Sequence, residues 1–292
     1  MAAFYRVYVE LTNICGLKCS FCPPKTLPTQ TMDLAFFERV LAQLRPYTHE
    51  IAYHIVGDPM SLSNLQAYLD VTHRYGFRVM LTTSGYYLDR HATKTLLHPA
   101  LKQLNISLNS YNKNDTSRSF EAYMEPIVSL CRAKLQTAPE LFINLRLWNL
   151  DEDNSEEAYN KHLFDYLEQA FETTLNLQTV YIEKPRSLRV APKILLHFDR
   201  YFQWPSLQQK EESEGSCLGL QSHFGILADG TVVPCCLDKD GIVALGNLHT
   251  DSLESILQST RAKRIVEGFK HGKAVEELCR KCTYKERFKE ES

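Results

Sequence analysis

The chain has 292 residues, 44% of them hydrophobic and 11% aromatic, which is enough apolar material for one large domain or a domain with an appendage. Its 33 basic and 35 acidic residues give a formal net charge of -2 with no long block of either sign, so no nucleic-acid or membrane partner is advertised and a small-molecule or peptide substrate is expected. The N-terminus, MAAFYRVYVELTN, lacks a basic segment followed by an apolar core and cleavage site, and no apolar run approaches the roughly 20 residues that span a bilayer, so a cytoplasmic location is expected.

From the start to about residue 184, apolar alternation and helical periodicity take turns, the pattern of repeated β-α units around a parallel sheet. Strands are predicted near 4–11, 51–56, 77–83, 103–109, 141–148 and 177–183, with helices near 33–45, 61–75, 90–97, 120–136 and 156–171 between them. Side chains alternate along a strand, so Asn105, Ser107 and Asn109 share one face while Leu104, Ile106 and Leu108 share the other. The same split opposes Asn144, Arg146 and Trp148 to Ile143, Leu145 and Leu147, Tyr181 and Glu183 to Val180 and Ile182, and Arg6, Tyr8, Glu10 and Thr12 to Tyr5, Val7, Val9 and Leu11. With the apolar faces under helices, the polar faces are expected to line a cavity on the inside of a curved sheet. The expected architecture is α/β: a first domain over 1–184, a connector over 185–214 containing Pro185, Pro192 and Pro205, and a small unit over 215–292. That last unit opens with HFGILADGTVVPCC, read as two short strands joined at Ala228-Asp229-Gly230, and continues with a helix over 252–258.

Nine cysteines in a reducing compartment point to metal or redox chemistry rather than disulfides. Cys15, Cys19 and Cys22 follow the first strand at its C-terminal end, where parallel α/β folds place reactive groups. Three neighbouring thiolates can hold three corners of a [4Fe–4S] cubane and leave the fourth iron open to a ligand. Zinc would want a fourth ligand close by, and the nearest histidine is His49. Cys217, Cys235, Cys279 and Cys282 form a second set with four ligands, which suits either a zinc ion or a fully ligated cluster confined to electron transfer or structure. Cys236 competes with Cys235, and Cys131, among Ile127, Val128 and Leu130, reads as a buried thiol.

VELTNICGLKCSFC resembles the N-terminal signature of radical S-adenosylmethionine (SAM) enzymes, and the order of elements is similar to their partial (β/α)6 TIM-like barrel. Gly57-Asp58-Pro59 resembles the family's Gly-Glu-Pro segment that holds the methionyl amino group, and Thr83-Ser84-Gly85 its Thr-Asn-Gly. Ser107 and Arg146 match polar positions that hold SAM, and Phe21 matches the aromatic position beside the adenine. Two departures stand out, Asp58 for glutamate and Ser84 for asparagine. Asp58 keeps the charge that pairs with an ammonium but reaches less far, and it also reads as a simple turn residue before Pro59. GILADGTVVPCCLD and LGNLHTDSLESIL resemble the SPASM and twitch auxiliary-cluster domains, and four cysteines with this spacing are most similar to the single-cluster twitch domain of the 2-deoxy-scyllo-inosamine dehydrogenase type.

The resemblance implies two [4Fe–4S] clusters, SAM, a 5′-deoxyadenosyl radical that abstracts a substrate hydrogen, and an electron donor such as flavodoxin or ferredoxin. Oxidation of a small molecule, with the auxiliary cluster accepting an electron, is the first expectation; modification of a peptide or protein side chain is the second. A noncatalytic iron–sulfur or zinc protein is the rival of another class. His54, Tyr181 and Glu183 are the candidate substrate contacts, Tyr86 and Tyr87 are expected at the surface, and the acidic stretch from Asp151 to Glu157 reads as a solvated loop and helix start.

Overall fold

A computed structural model describes residues 4–150 and 156–288. Most of the acidic stretch, 151–155, lies outside the described residues. The chain runs β1 (Arg6–Val9), α1 (Leu34–Leu44), β2 (Glu50–Tyr53), α2 (Leu65–Arg74), β3 (Arg78–Thr83), α3 (Thr93–Leu96), β4 (Leu101–Ser107), α4 (Asn109–Asn112), α5 (Phe120–Thr137) and β5 (Phe142–Leu147). It continues with α6 (Glu157–Phe171), α7 (Leu177–Glu183), β6 (Ser187–Ala191), β7 (Ile194–Phe198), β8 (His223–Ile226), β9 (Thr231–Val233), β10 (Gly246–Asn247), α8 (Leu253–Leu257), α9 (Thr260–Lys270) and α10 (Glu277–Arg280). Among the described residues no helix is long and apolar enough to cross a membrane.

These elements form two compact units. One comprises Met1–Cys15, Pro23–Val79 and Phe202–Ser292; the other comprises Gly16–Cys22 and Met80–Tyr201. In the first, β1 is flanked on both sides by parallel neighbours, β2 and β8, so Val7 pairs with Ile51 and with Phe224. β8 then turns antiparallel into β9 and β9 into β10. Val7, Val9, Ile51, Phe224 and Ile226 are fully buried, as expected for strands covered by helices. The covering helix α1 starts at Asp33, whose carboxylate accepts from the Ala35 and Phe36 N–H groups at 2.9 and 3.1 Å. That cap satisfies two of the N–H groups a helix leaves open, and Phe36, Phe37, Val40, Leu41 and Leu44 recur at helical spacing on its buried face.

In the second unit β4, β5 and β7 lie side by side and parallel, with β6 antiparallel on β7. Leu104, Ile106, Ile143, Leu145, Leu147 and Leu196 are buried on one face. On the other, register aligns Asn105 with Asn144, and Ser107 with Arg146 and then His197. The expected split of polar and apolar faces is therefore present on β4 and β5.

The sixth strand is a correction. Residues 177–183 form α7, capped by the Asn176 side chain, which accepts from Thr179 N–H at 3.0 Å, and ended by Lys184 in the left-handed region at φ 47°. Only Val180 of this helix is buried, and Ile182 is 78% exposed, so the alternation of Val180 and Ile182 never faced a core. Ile194–Phe198, β7, is the strand that pairs in parallel with β5, and it lies in the stretch expected to be a connector.

Candidate functional site

Within the first unit, the Gly57-Asp58-Pro59 segment is fastened to the chain leaving β1. The Asp58 N–H donates to Ile14 O at 3.0 Å and the Ser61 hydroxyl to the same oxygen at 3.2 Å. A Cβ on Gly57 would lie 1.9 Å from Thr12 O and 2.9 Å from the Asn13 carbonyl carbon, so only glycine lets the two backbones approach this closely. Glu10, buried at 3% exposure, accepts from Val56 N–H and from Ala228 N–H, both at 3.2 Å. Asp58 is 2% exposed, and one of its oxygens accepts from Met60 N–H at 3.0 Å to cap a short turn begun by Pro59. The turn role anticipated for Asp58 is thus present, and its backbone bond to Ile14 O holds it against the residue that precedes half-buried Cys15.

Cys19 and Cys22 belong to the second unit. Cys19 is buried with its Sγ 3.9 Å from Ser110 O, while Cys22 is exposed and its N–H donates to Cys19 O at 3.0 Å. The loop is held by Lys18 N–H on the Asn114 side-chain oxygen at 3.0 Å and by Ser20 N–H on Lys113 O at 2.9 Å. Phe21 stacks on Tyr201 with centroids 5.4 Å apart. In the Thr83-Ser84-Gly85 turn, Thr83 Oγ1 accepts from Gly85 N–H at 3.2 Å and Ser84 Oγ from Tyr86 N–H at 3.3 Å. Gly85 sits at φ 85°, and a Cβ there would meet Ile106 and Tyr123 at 3.1 Å. Buried Tyr123 donates to Ser84 O at 2.7 Å and reaches Ser107 O at 3.3 Å, tying the turn to the end of β4.

Further along that polar row, Arg146 lies over the Trp148 ring at 4.9 Å and Trp148 Nε1 donates to His197 Nδ1 at 3.3 Å. Burial, with Arg146 beside it, lowers the His197 pKa. His197 was not singled out from sequence, because the strand that carries it was assigned elsewhere; the alternation in ILLHF was the available signal.

The second cysteine set lies within the first unit. Burial raises the Cys235 pKa most, and the thiols of Cys236, Cys217 and Cys279 add to it; Cys279 is raised by burial and then by Cys217 and Cys282. Cys217 thus interacts electrostatically with Cys235, Cys279 and Cys282, and also with Cys236. The Cys236 thiol turns to Tyr8, with which it hydrogen-bonds, and packs on Ile55, Leu227 and Val233; burial pushes its pKa up to about 12. Among the described residues no group of three or more His, Cys, Asp and Glu is gathered as tightly as a single metal ion requires.

Two charged residues support this set and had no sequence motif to reveal them. Lys285, only 3% exposed, donates to Glu212 O and Arg280 O at 2.7 Å and reaches Cys279 O at 3.4 Å. Burial raises the pKa of Cys217 and Cys282, and the Lys285 charge opposes that rise, the direction that favours thiolate ligands. Glu276, one residue before α10, accepts from Arg261 at 2.7 Å and Arg264 at 3.1 Å and so anchors the helix that carries Cys279.

Of the remaining candidates, His54 stands one residue past β2 and is half-buried. Tyr181 is on α7 and its hydroxyl accepts from Asn160 Nδ2 at 3.0 Å, and Glu183 is exposed at the end of that helix. The strand face they were expected to share does not exist. Tyr86 and Tyr87, expected at the surface, are buried at 8% and 9% exposure. Cys131 is fully buried, which pushes its pKa up to about 12.

A sequence profile of the radical SAM superfamily matches residues 9–139, which include the three-cysteine loop, Gly57-Asp58-Pro59, Thr83-Ser84 and Ser107. The profile of the SPASM iron–sulfur cluster-binding domain matches residues 217–283, from the first to just past the last of the four gathered cysteines. The chain carries a radical SAM domain and a SPASM domain. Its cofactors are accordingly SAM and [4Fe–4S] clusters.

Among known proteins, this radical SAM protein is 28% identical over 100 residues to the SAM-dependent 2-deoxy-scyllo-inosamine dehydrogenase of Niallia circulans, covering 32% of the chain and 40% of the relative. It is 30% identical over 112 residues to GTP 3′,8-cyclase of Nautilia profundicola, covering 36% of the chain and 35% of that relative. The matches thus span less than half of either relative. Its fold is similar over almost its whole length to BtrN in complex with AdoMet and 2-DOIA, with TM-score 0.60, 16% identity, and coverage of 97% of this chain and 94% of that one. It is also similar to Streptococcus suis SuiB bound to the precursor peptide SuiA, with TM-score 0.57, 13% identity, and coverage of 100% and 74%.

Proposed function

We propose that this radical SAM enzyme oxidises a small molecule, with Cys15, Cys19 and Cys22 holding the SAM-binding cluster and Cys217, Cys235, Cys279 and Cys282 the auxiliary cluster. What supports this reading is that Cys217 interacts electrostatically with Cys235, Cys279 and Cys282 inside the SPASM-matched stretch; four thiolates there would saturate a cluster and leave it the task of accepting electrons. When bound, SAM and the clusters supply the hydrogen-abstracting 5′-deoxyadenosyl radical and the acceptor for the substrate's second electron.

The protein's part is to hold, orient and exclude water. Asp58, fixed by its bond to Met60 N–H and the anchor on Ile14, offers a carboxylate to the SAM ammonium, while Gly57 and Pro59 shape the segment. In the second unit, Thr83, Ser84, Ser107 and Arg146 would supply polar contacts from the Thr83-Ser84-Gly85 turn and from β4 and β5, and Phe21 an aromatic face for the adenine. His197, whose Nδ1 accepts from Trp148, carries its proton on Nε2 when neutral and so offers a donor rather than a base. The likeness to a dehydrogenase of an aminocyclitol supports a hydroxyl-bearing small molecule over a peptide. The domain limits that go with this reading are about 1–184 for the radical SAM part and 215–292 for the auxiliary part, with β7 extending the former into the connector.

Purified protein reconstituted anaerobically should contain about eight irons and should form 5′-deoxyadenosine on reduction with SAM. Addition of cyclitols or aminocyclitols should accelerate that formation and yield a ketone. Acceleration by short peptides instead would replace the small-molecule reading with peptide modification, and four gathered thiols that bind zinc would overturn the auxiliary role.

A further inference from the structure

Glu10 is a buried carboxylate without a place in the reading above, and its partners are unusual. It sits one residue past β1, and the groups that meet it are backbone N–H donors from two distant segments. Oε1 accepts from Val56 N–H at 3.2 Å, Oε2 accepts from Ala228 N–H at 3.2 Å, and Gly57 N–H adds a third bond. Its own N–H is used by Ile226 O at 2.9 Å, so both its backbone and its side chain are committed to neighbours. Burying a carboxylate is costly, and a neutral residue would pack there at less expense unless the convergence of donors itself serves a purpose.

The two segments are informative. Val56 and Gly57 lead directly into Asp58, and Ala228 leads into the Asp229-Gly230 turn of the β8–β9 hairpin, which ends two residues before Cys235. Burial raises the Glu10 pKa, and the three backbone N–H donors oppose that rise; a carboxylate accepting from them holds a segment more firmly than a neutral acceptor does. We propose that Glu10 is a positioning residue that sets the Gly57-Asp58-Pro59 segment for the SAM ammonium and ties it to the hairpin that presents Cys235. This rests on the assignment of Asp58 to SAM. Glutamine in its place keeps the shape but turns an NH2 toward N–H donors, so at least one of the three bonds is lost and the segment is released.

The test is SAM affinity, measured by anaerobic equilibrium dialysis of the reconstituted protein, with iron content and the EPR spectrum of the reduced clusters recorded alongside. Glu10→Gln should weaken SAM binding tenfold or more at wild-type iron content and alter the SAM-induced change in the EPR spectrum. Glu10→Gln in an Asp58→Asn background should then add little, because both act on the same contact. If glutamine prevents iron uptake, Glu10→Asp, which keeps the charge, should bind iron normally yet bind SAM severalfold more weakly. Wild-type SAM affinity in an iron-replete Glu10 variant, or fully additive losses with Asp58→Asn, overturns the proposal. Absence of SAM binding by the wild-type protein would instead overturn the functional reading on which it stands.

Discussion

Replacing Gly57 with alanine tests the fit between the Gly57-Asp58-Pro59 segment and the chain leaving β1. The new Cβ would lie 1.9 Å from Thr12 O, 2.7 Å from Thr12 C and 2.9 Å from Asn13 C, all of them backbone atoms that cannot swing aside. Ordinary carbon contacts fall at about 3.5–4.0 Å, so the segment must withdraw by roughly 1 Å or more. The Asp58 N–H bond to Ile14 O, now 3.0 Å, does not survive such a shift, and the carboxylate moves with it. A misplacement of about 1 Å costs on the order of 100-fold in a positioned interaction, and a lost charge-assisted hydrogen bond about 1.5–3 kcal/mol. SAM affinity should therefore fall by roughly 10- to 100-fold, while iron bound by the four auxiliary cysteines stays at the wild-type level. Anaerobic equilibrium dialysis with labelled SAM, paired with iron analysis, reads both. Gly57→Ala protein that binds SAM as tightly as wild type would refute the reasoning.

The two cysteine sets should separate cleanly: Cys19→Ala should abolish reductive SAM cleavage, whereas Cys279→Ala should spare uncoupled cleavage but impair substrate turnover, and equal losses of 5′-deoxyadenosine formation in both would contradict distinct roles. Lys285→Met removes a buried positive charge beside Cys217 and Cys282, so the auxiliary cluster should become harder to reduce, with a more negative midpoint in an EPR-monitored titration; an unchanged midpoint argues against that placement. His223 is held neutral, its pKa lowered by burial and by Arg6 to about 4 from 6.5. Its contribution to stability is complete above pH 6.5 and is lost as pH falls toward 4, reaching about 2 kcal/mol by pH 5. Urea midpoints at pH 7.5 and pH 5 should fall further for wild type than for His223→Gln, and equal falls would remove His223 as the cause.

The three-cysteine loop and the Gly57-Asp58-Pro59 segment stand out in the sequence because short spacing marks them. Three thiols within eight residues and a glycine before a turn need no knowledge of long-range packing. The hairpin was legible for the same reason, with Gly230 at φ 85° where the turn was expected. What failed was the sixth strand. Val180 and Ile182 alternate like a strand, yet seven residues are too few to separate period two from a helical turn, and the cap at Asn176 was overlooked. The true strand, Ile194–Phe198, sits behind Pro192 and was read as connector, which hid His197. Tyr86 and Tyr87, expected at the surface, are buried. In the fold Tyr86 packs on Tyr123 with centroids 5.1 Å apart, a contact set by tertiary structure alone. Glu10 and Lys285 were illegible for a related reason, since each earns its role from backbone groups brought in from distant segments.

The central claim is that the three-cysteine cluster leaves an iron open to SAM. It is tested most directly in Cys279→Ala protein, where the auxiliary site is disabled, by recording the EPR spectrum of the reduced cluster with SAM labelled with 15N at the amino group and following it by electron–nuclear double resonance. Coupling of the label to the cluster is the predicted result. A reduced cluster whose spectrum is indifferent to SAM, with no coupling to the label, would contradict the account.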